Sequence, residues 1–355
     1  MSLHNLSAII LYCFHQFNGE RSPSAIYHLL KGKKSSQTIQ DAQLYQVAFV
    51  YSMVNSFTRK ELDQIVAEFM ERGLINRITD DRYVLTVIGK RVLNEQLKDE
   101  LFPAHLNGFQ FGEKAVIFWK RLSLIIQVLS NLIHDRAKFI PIHRDERLYK
   151  WVKLYLLKKK QSRIELAKML HDECRRCLSD LSSVEATIFT LRLTSYDRIG
   201  MTNEQIASYL GEDKTRVQLQ FWGVLHYFMK HIQKHSRDFP ILYEMFEDLQ
   251  EDSSLTISTR KTYQLVSQGK SIYEIAKIRS LKTNTIEDHI VELAFSIPDF
   301  SIAPFITMQK QQKILSQIKL QKTNKLKLIK ESLGGEASYF EIRLVLAKCG
   351  GGNAS

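Results

Sequence analysis

The stretch that decides the fold is "GKSIYEIAKIRSLKTNTIEDHI", Gly269 to Ile290, and it gains its meaning from a second stretch, "GMTNEQIASYLGEDKTRVQ", Gly200 to Gln218. Both read Gly, any residue, Ser or Thr, two residues, Glu or Gln, then Ile-Ala, over Gly200 to Ala207 and Gly269 to Ala276. The leading glycine suits the left-handed backbone that ends a helix. Thr202 or Ser271 then stands where a new helix needs its cap, and Gln205 or Glu274 completes a capping box. Ile206 with Leu210, and Ile272 with Ile275, point into a small core. Ala207 and Ala276 are small enough for close approach to a neighbouring helix. Eleven residues after Ile206 and Ile275 stand Val217 and Ile286, near the start of a further helix.

A short helix, a tight turn and a second helix make a helix-turn-helix, whose last helix can enter the major groove of DNA. The triplet Gly269-Lys270-Ser271 also looks like the end of a phosphate-binding loop. That motif needs a glycine where Gln264 stands, and a buried strand where "TRKTYQLVSQ" predicts a helix. The two last helices differ in charge. The first offers Lys214, Thr215, Arg216, Gln218 and Gln220, all able to contact phosphates or base edges. The second offers Lys282, Thr283, Asn284 and Thr285, followed by Glu287, Asp288 and Glu292. Phosphate repels those carboxylates, so the end of the second helix is expected to face protein or solvent, and the first is the better base reader.

Outward from these modules, six prolines and fifteen glycines in 355 residues, with apolar residues at helical spacing, predict a mainly α chain of two or three domains. One exception is "RGLINRITDDRYVLTVIGKRVL", Arg72 to Leu93, where strand-like runs flank an Asp80-Asp81 turn and predict a small β-hairpin. Helical candidates precede it: "LSAIILYCFHQF", "SPSAIYHLLKG" with Ser22 as cap and Pro23 in the first turn, and "TRKELDQIVAEFMERGL" with Thr58 and Glu61 as a capping box. Helices followed by a two-stranded wing read as a winged helix, placed at 1–98. Residues 99–165 read as a helical connector with a lysine run at 158–160, and 166–250 as the first helix-turn-helix module. Residues 251–349 read as the second module with a basic C-terminal helix, and 350–355 as a flexible tail. That basic segment, "KQQKILSQIKLQKTNKLKLIK", carries seven lysines from Lys310 to Lys330 and no acid. Lys319, Lys322, Lys325 and Lys327 there could track a phosphate backbone; the alternative is a solubilising face.

Lysine and arginine outnumber the acids by 50 to 38, a formal charge of +12, which favours a polyanionic partner, nucleic acid before membrane. Four cysteines fit a reducing cytosol rather than a disulfide framework. The N-terminal apolar run has neither the flanks of a signal peptide nor the length to span a bilayer. His171, Cys174 and Cys177 share a helix face, but a second cysteine pair is lacking, so no metal and no cofactor are expected. No hydrolase, zinc-protease or dinucleotide motif is present, so no catalytic residue is assigned and the chain is read as a non-enzyme.

The segment "STRKTYQLVSQGKSIYEIAKIRSLKTNTIEDHI", with the later "GGEASYFEIRLVLA", resembles the helix-turn-helix domain at the C-termini of many bacterial RecQ-type helicases. "IYHLLKGKKSSQTIQDAQLY" and the hairpin region resemble the winged domain that follows the motor in the same helicases. "LSSVEATIFTLRL" with "GMTNEQIASYLGEDKTRVQ" looks like the promoter-reading module of sigma factors. Nearly the whole chain is similar to the helix-turn-helix protein encoded beside a short RecQ-type helicase in Gram-positive bacteria. By position, the resemblance implies that Gly32, Lys33, Lys34 and Ser35 form a loop approaching duplex phosphates, and that Arg77, Asp80, Asp81 and Arg82 form the wing. Strand-separating wings often carry an aromatic tip; two aspartates stand here, which points away from strand separation and towards a partner or junction. The motor motifs and zinc cysteines of the full helicases are missing.

Together these readings imply a cytoplasmic, nucleoid-associated, DNA-binding accessory protein, partner of a RecQ-type helicase in repair or recombination, with no membrane association. The alternatives are a transcription regulator using the sigma-like module, or a protein-interaction adaptor that barely binds DNA.

Overall fold

The computed structural model describes residues 3–249, 255–297, 299–321 and 324–349. The chain is mainly helical, and among the described residues its sheet is one antiparallel hairpin. It divides into two compact units. One holds Met1–Ile9, Ser52–Val54 and Arg91–Glu251; the other holds Ile10–Tyr51, Asn55–Lys90 and Asp252–Ser355. Sequence segments from the two ends of the chain thus share one unit.

The chain opens with α1 (Asn5–Phe17), α2 (Pro23–Leu30), α3 (Ser36–Leu44) and α4 (Arg59–Glu71). Pro23 occupies the first turn of α2, and Ser22 has the extended backbone of a cap but makes no side-chain cap bond. Thr58 and Glu61 close the expected capping box on α4. The hairpin follows as β1 (Ile75–Thr79) and β2 (Arg82–Leu85), pairing Ile75 with Leu85 and Arg77 with Tyr83 around the Asp80-Asp81 turn. Thr86 then donates to the Gly73 carbonyl at 2.7 Å and accepts from Gly89 N at 3.0 Å, starting α5 (Val87–Lys98). Phe14, Phe17 and Phe69 are wholly buried here. Each contributes about 1.5–3 kcal/mol by leaving water.

The middle of the chain forms α6 (Gly108–Ile133), α7 (Glu146–Lys158), α8 (Arg163–Ser179), α9 (Ser183–Leu191), α10 (Asn203–Leu210), α11 (Lys214–Lys234) and the short α12 (Pro240–Tyr243). By length and composition α6 could cross a membrane. Here it packs against α7, α8 and α11, and Phe118, Leu122 and Ile125 meet Phe189, Val224 and Phe228 in one core. The segment read as a connector therefore supplies this unit's longest helix. Of the trio at three-residue spacing, Cys174 and Cys177 enter the core while His171 points out. Burial pushes the Cys177 thiol up to about 12, so it stays protonated and a poor metal ligand.

The C-terminal part forms α13 (Ile257–Ser267), α14 (Ile272–Arg279), α15 (Thr283–Ser296), α16 (Met308–Gln321), α17 (Leu326–Ser332) and α18 (Tyr339–Cys349). The lysine-rich segment is therefore two helices, α16 and α17, where the sequence suggested one.

Candidate nucleic-acid interface

Both repeats fold as their shared spacing predicts. Thr202 with Gln205 and Ser271 with Glu274 each close a full capping box, and Ile206, Val217, Ile275 and Ile286 are wholly buried. The turns between helices use left-handed residues, Gly211 at φ +68° and Ser280 at φ +51°. The leading glycines differ from each other. Gly269 has φ +77°, the helix-ending conformation expected. Gly200 does not take a left-handed conformation; a Cβ there would lie 2.2 Å from the Arg192 carbonyl oxygen, so that site is glycine because the chain passes too close for any side chain.

In the first module Gln218 is engaged by the protein's own backbone, while Lys214, which is exposed, and Arg216 stand beside carboxylates. Asp213 caps α11 by accepting from Thr215 N at 2.7 Å and Arg216 N at 3.1 Å. Lys214 pairs with Glu204, and Arg216 Nε lies 3.5 Å from Glu212. Gln218 Nε2 donates to the Met53 carbonyl at 2.9 Å, and the Gln220 side-chain oxygen is buried. Arg192, next to this module, lies 3.9 Å over the Phe221 ring and pairs with Asn203; burial lowers its pKa to about 10. Carboxylates thus balance the cations at the first turn of α11.

The second module is arranged differently. Lys282, Thr283 and Asn284 are exposed at the start of α15, and Thr285 is half-buried. Beyond that turn the helix is enclosed by α3, α13, α14 and α18. Of its three carboxylates only Glu292 is buried; Glu287 and Asp288 are partly exposed. Asp288 pairs with Arg343, and the buried Glu292 accepts from Thr256 N at 2.6 Å and the Thr259 hydroxyl at 2.7 Å. Burial pushes the Glu292 carboxyl up, against those hydrogen bonds, and pushes Glu287 up as well. From Ile290 to Ala294 α15 therefore packs into the core of its own unit.

Sequence reasoning passed over the neighbouring helix. Lys270, Tyr273 and Lys277, at spacings of three and four residues, lie on one face of the turn and α14, and all are exposed, Tyr273 at 74%. The signal was present as a polar stripe with one aromatic. Glu274 lies beside them, but Ser271 holds its carboxylate in the capping box, which lowers its pKa. Glu274 therefore stays ionised, one fixed carboxylate beside the two exposed lysines Lys270 and Lys277.

The remaining candidates are scattered. Lys33 and Lys34 are exposed after Gly32, which has φ +70°, while Ser35 caps α3 by accepting from Thr38 N at 3.3 Å. Lys34 lies close enough to Glu292 to oppose the rise of its pKa. Arg77 Nε donates to the carbonyls of Thr79 and Asp80 at 3.1 Å, and Arg82 Nη1 to the Glu20 carbonyl at 2.8 Å. These two arginines hold the hairpin, and Asp80 and Asp81 form its exposed tip. In the basic segment Lys310 pairs with Glu341 at 2.8 Å and Lys313 with Glu336 at 2.9 Å, while Lys327 lies 3.9 Å from Glu331. Lys319 and Lys325 are exposed, and Lys322 lies outside the described residues.

Residues 258–346, from α13 into α18, match the family described as helix-turn-helix domain. No solved structure matches the chain. Protein YpbB of Bacillus subtilis (strain 168) is 40% identical over 349 residues, covering 98% of each chain. With that identity along almost its full length, the chain belongs to the YpbB family, and its C-terminal part is a helix-turn-helix domain.

Proposed function

We propose that this chain is a non-enzymatic, DNA-binding accessory protein of the bacterial cytoplasm that works beside a RecQ-type helicase in DNA repair or recombination. The DNA reading is carried by one observation: Lys270, Tyr273, Lys277, Lys282, Thr283 and Asn284 are all exposed, along α14 with the residue before its cap and at the start of α15 in the C-terminal helix-turn-helix. The lysines supply phosphate contacts, and the N-terminal turn of α15 supplies the polar side chains that reach base edges. Because α15 is buried past that turn, sequence discrimination is weak and backbone affinity dominates.

The helicase part rests on the resemblance of both ends of the chain to helicase modules, the N-terminal one read as a winged helix. It gains support from their assembly into one unit. The Asp80-Asp81 tip favours contact with protein or a junction over splitting of strands. A second reading, as an adaptor, is favoured by the bond of Gln218 to the Met53 carbonyl and by the carboxylates beside Lys214 and Arg216. The same contacts weigh against a promoter reader built on the middle module. Anisotropy titrations with single-stranded, duplex and forked DNA test the first reading: salt-sensitive binding supports it, and no binding at low salt leaves the adaptor. Co-purification with the RecQ-type helicase of the same organism tests the partnership.

A further inference from the structure

The unit containing α6–α12 carries a cavity of about 500 Å³ that DNA binding does not use. Ile126, Leu129 and Ile133 of α6 form one wall, Leu170 and Leu178 of α8 another, and Phe189 of α9 closes the floor. Along α6 these residues are spaced by three and four, as a stripe on one helix face. Such stripes are normally buried against a neighbouring element; this one fronts an open space of the size that takes a small ligand.

Arg175 is the fixed cation among the residues that line the mouth. His171 and Arg175 project from one side of α8 at i and i+4, His134 stands at the end of α6, and no carboxylate lines the cavity. Asp172 lies outside the lining, 3.4 Å from His171 Nδ1 and 4.0 Å from Arg175 Nε. Exposed pairs of that kind contribute about 0–1 kcal/mol, so an arriving anion can replace Asp172. Ser130 and Thr190 direct their oxygens to backbone, Ser130 by accepting from Tyr196 N at 2.9 Å and Thr190 by donating to the Ala186 carbonyl at 2.9 Å. The interior therefore offers apolar contact, and the polar recognition sits at the rim.

We propose that this cavity binds a small amphiphile with an apolar tail and a carboxylate head, the tail between α6 and α8 and the head at Arg175 and His171. The site is separate from the helix-turn-helix surface, and its test does not depend on DNA binding.

The experiment is isothermal titration of the full-length protein with decanoate, and with decyltrimethylammonium as the oppositely charged control, both below the concentrations at which they form micelles. The expected result is saturable one-to-one binding of decanoate and at least ~tenfold weaker binding of the cation. Ala167→Trp and, separately, Leu193→Trp fill the cavity from different sides, and each should abolish decanoate binding; Arg175→Glu, at an exposed site, should weaken it ~tenfold without unfolding the protein. Absence of saturable binding, equal binding of the two amphiphiles, or binding that both tryptophan variants leave intact would overturn the assignment.

Discussion

Gln218 Nε2 donates to the carbonyl of Met53 across 2.9 Å, and this contact engages one of the middle module's base-reading candidates within the fold. The expected outcome for Gln218→Ala is a loss of about 1 kcal/mol in urea unfolding, the worth of one internal hydrogen bond. DNA affinity, measured by anisotropy, should stay within about twofold, because the side chain serves the fold.

The two leading glycines separate two physical causes that look identical in sequence. Gly269→Ala meets open space and loses only the left-handed backbone preference, about 1 kcal/mol. Gly200→Ala drives a methyl into the Arg192 carbonyl and should cost about 3 kcal/mol or more, read as a lower urea midpoint.

His226 is wholly buried, accepts from Asn107 N at 3.0 Å through Nδ1, and has a buried Nε2; burial lowers its pKa to about 3. The unfolded chain binds this proton near pH ~6.5 and the folded chain does not. Its stabilising contribution is therefore full above that pH and is lost as pH falls towards 3, at up to about 1.4 kcal/mol per pH unit. Thermal melts between pH 7 and 4 should show a shallower decline for His226→Gln, which keeps an acceptor for Asn107 N.

Glu292 anchors the start of α13 to α15 through Thr256 and Thr259. Glu292→Leu leaves those donors buried without an acceptor and should cost about 3 kcal/mol. Hydrogen exchange should show the loss concentrated in α13 and α15.

What could be read from sequence was local. The capping boxes at Thr58, Thr202 and Ser271 each depend on residues three apart, and the Asp80-Asp81 turn on its immediate neighbours, so pattern alone located them. The destinations of Gln218 and Glu292 depend on residues far away in the chain, and no spacing encodes them. Gly200 was misread because a close backbone approach and a left-handed turn call for the same residue. Ser280 supplies a left-handed turn without glycine, and that choice left no sign. The acids beside Lys214 and Arg216 are visible in sequence, but their contacts are not, and the exposed stripe on α14 joins the candidates already read on α15.

The central claim is that the C-terminal helix-turn-helix, not the middle module, holds DNA. Its most direct test is fluorescence anisotropy of the full-length protein with forked and duplex DNA at low and physiological salt, comparing wild type, Lys277→Glu with Lys282→Glu, and Lys214→Glu. The expected result is salt-sensitive binding that the paired substitution weakens at least ~tenfold and Lys214→Glu weakens by about threefold or less. Binding that survives the paired substitution but is lost with Lys214→Glu would contradict it.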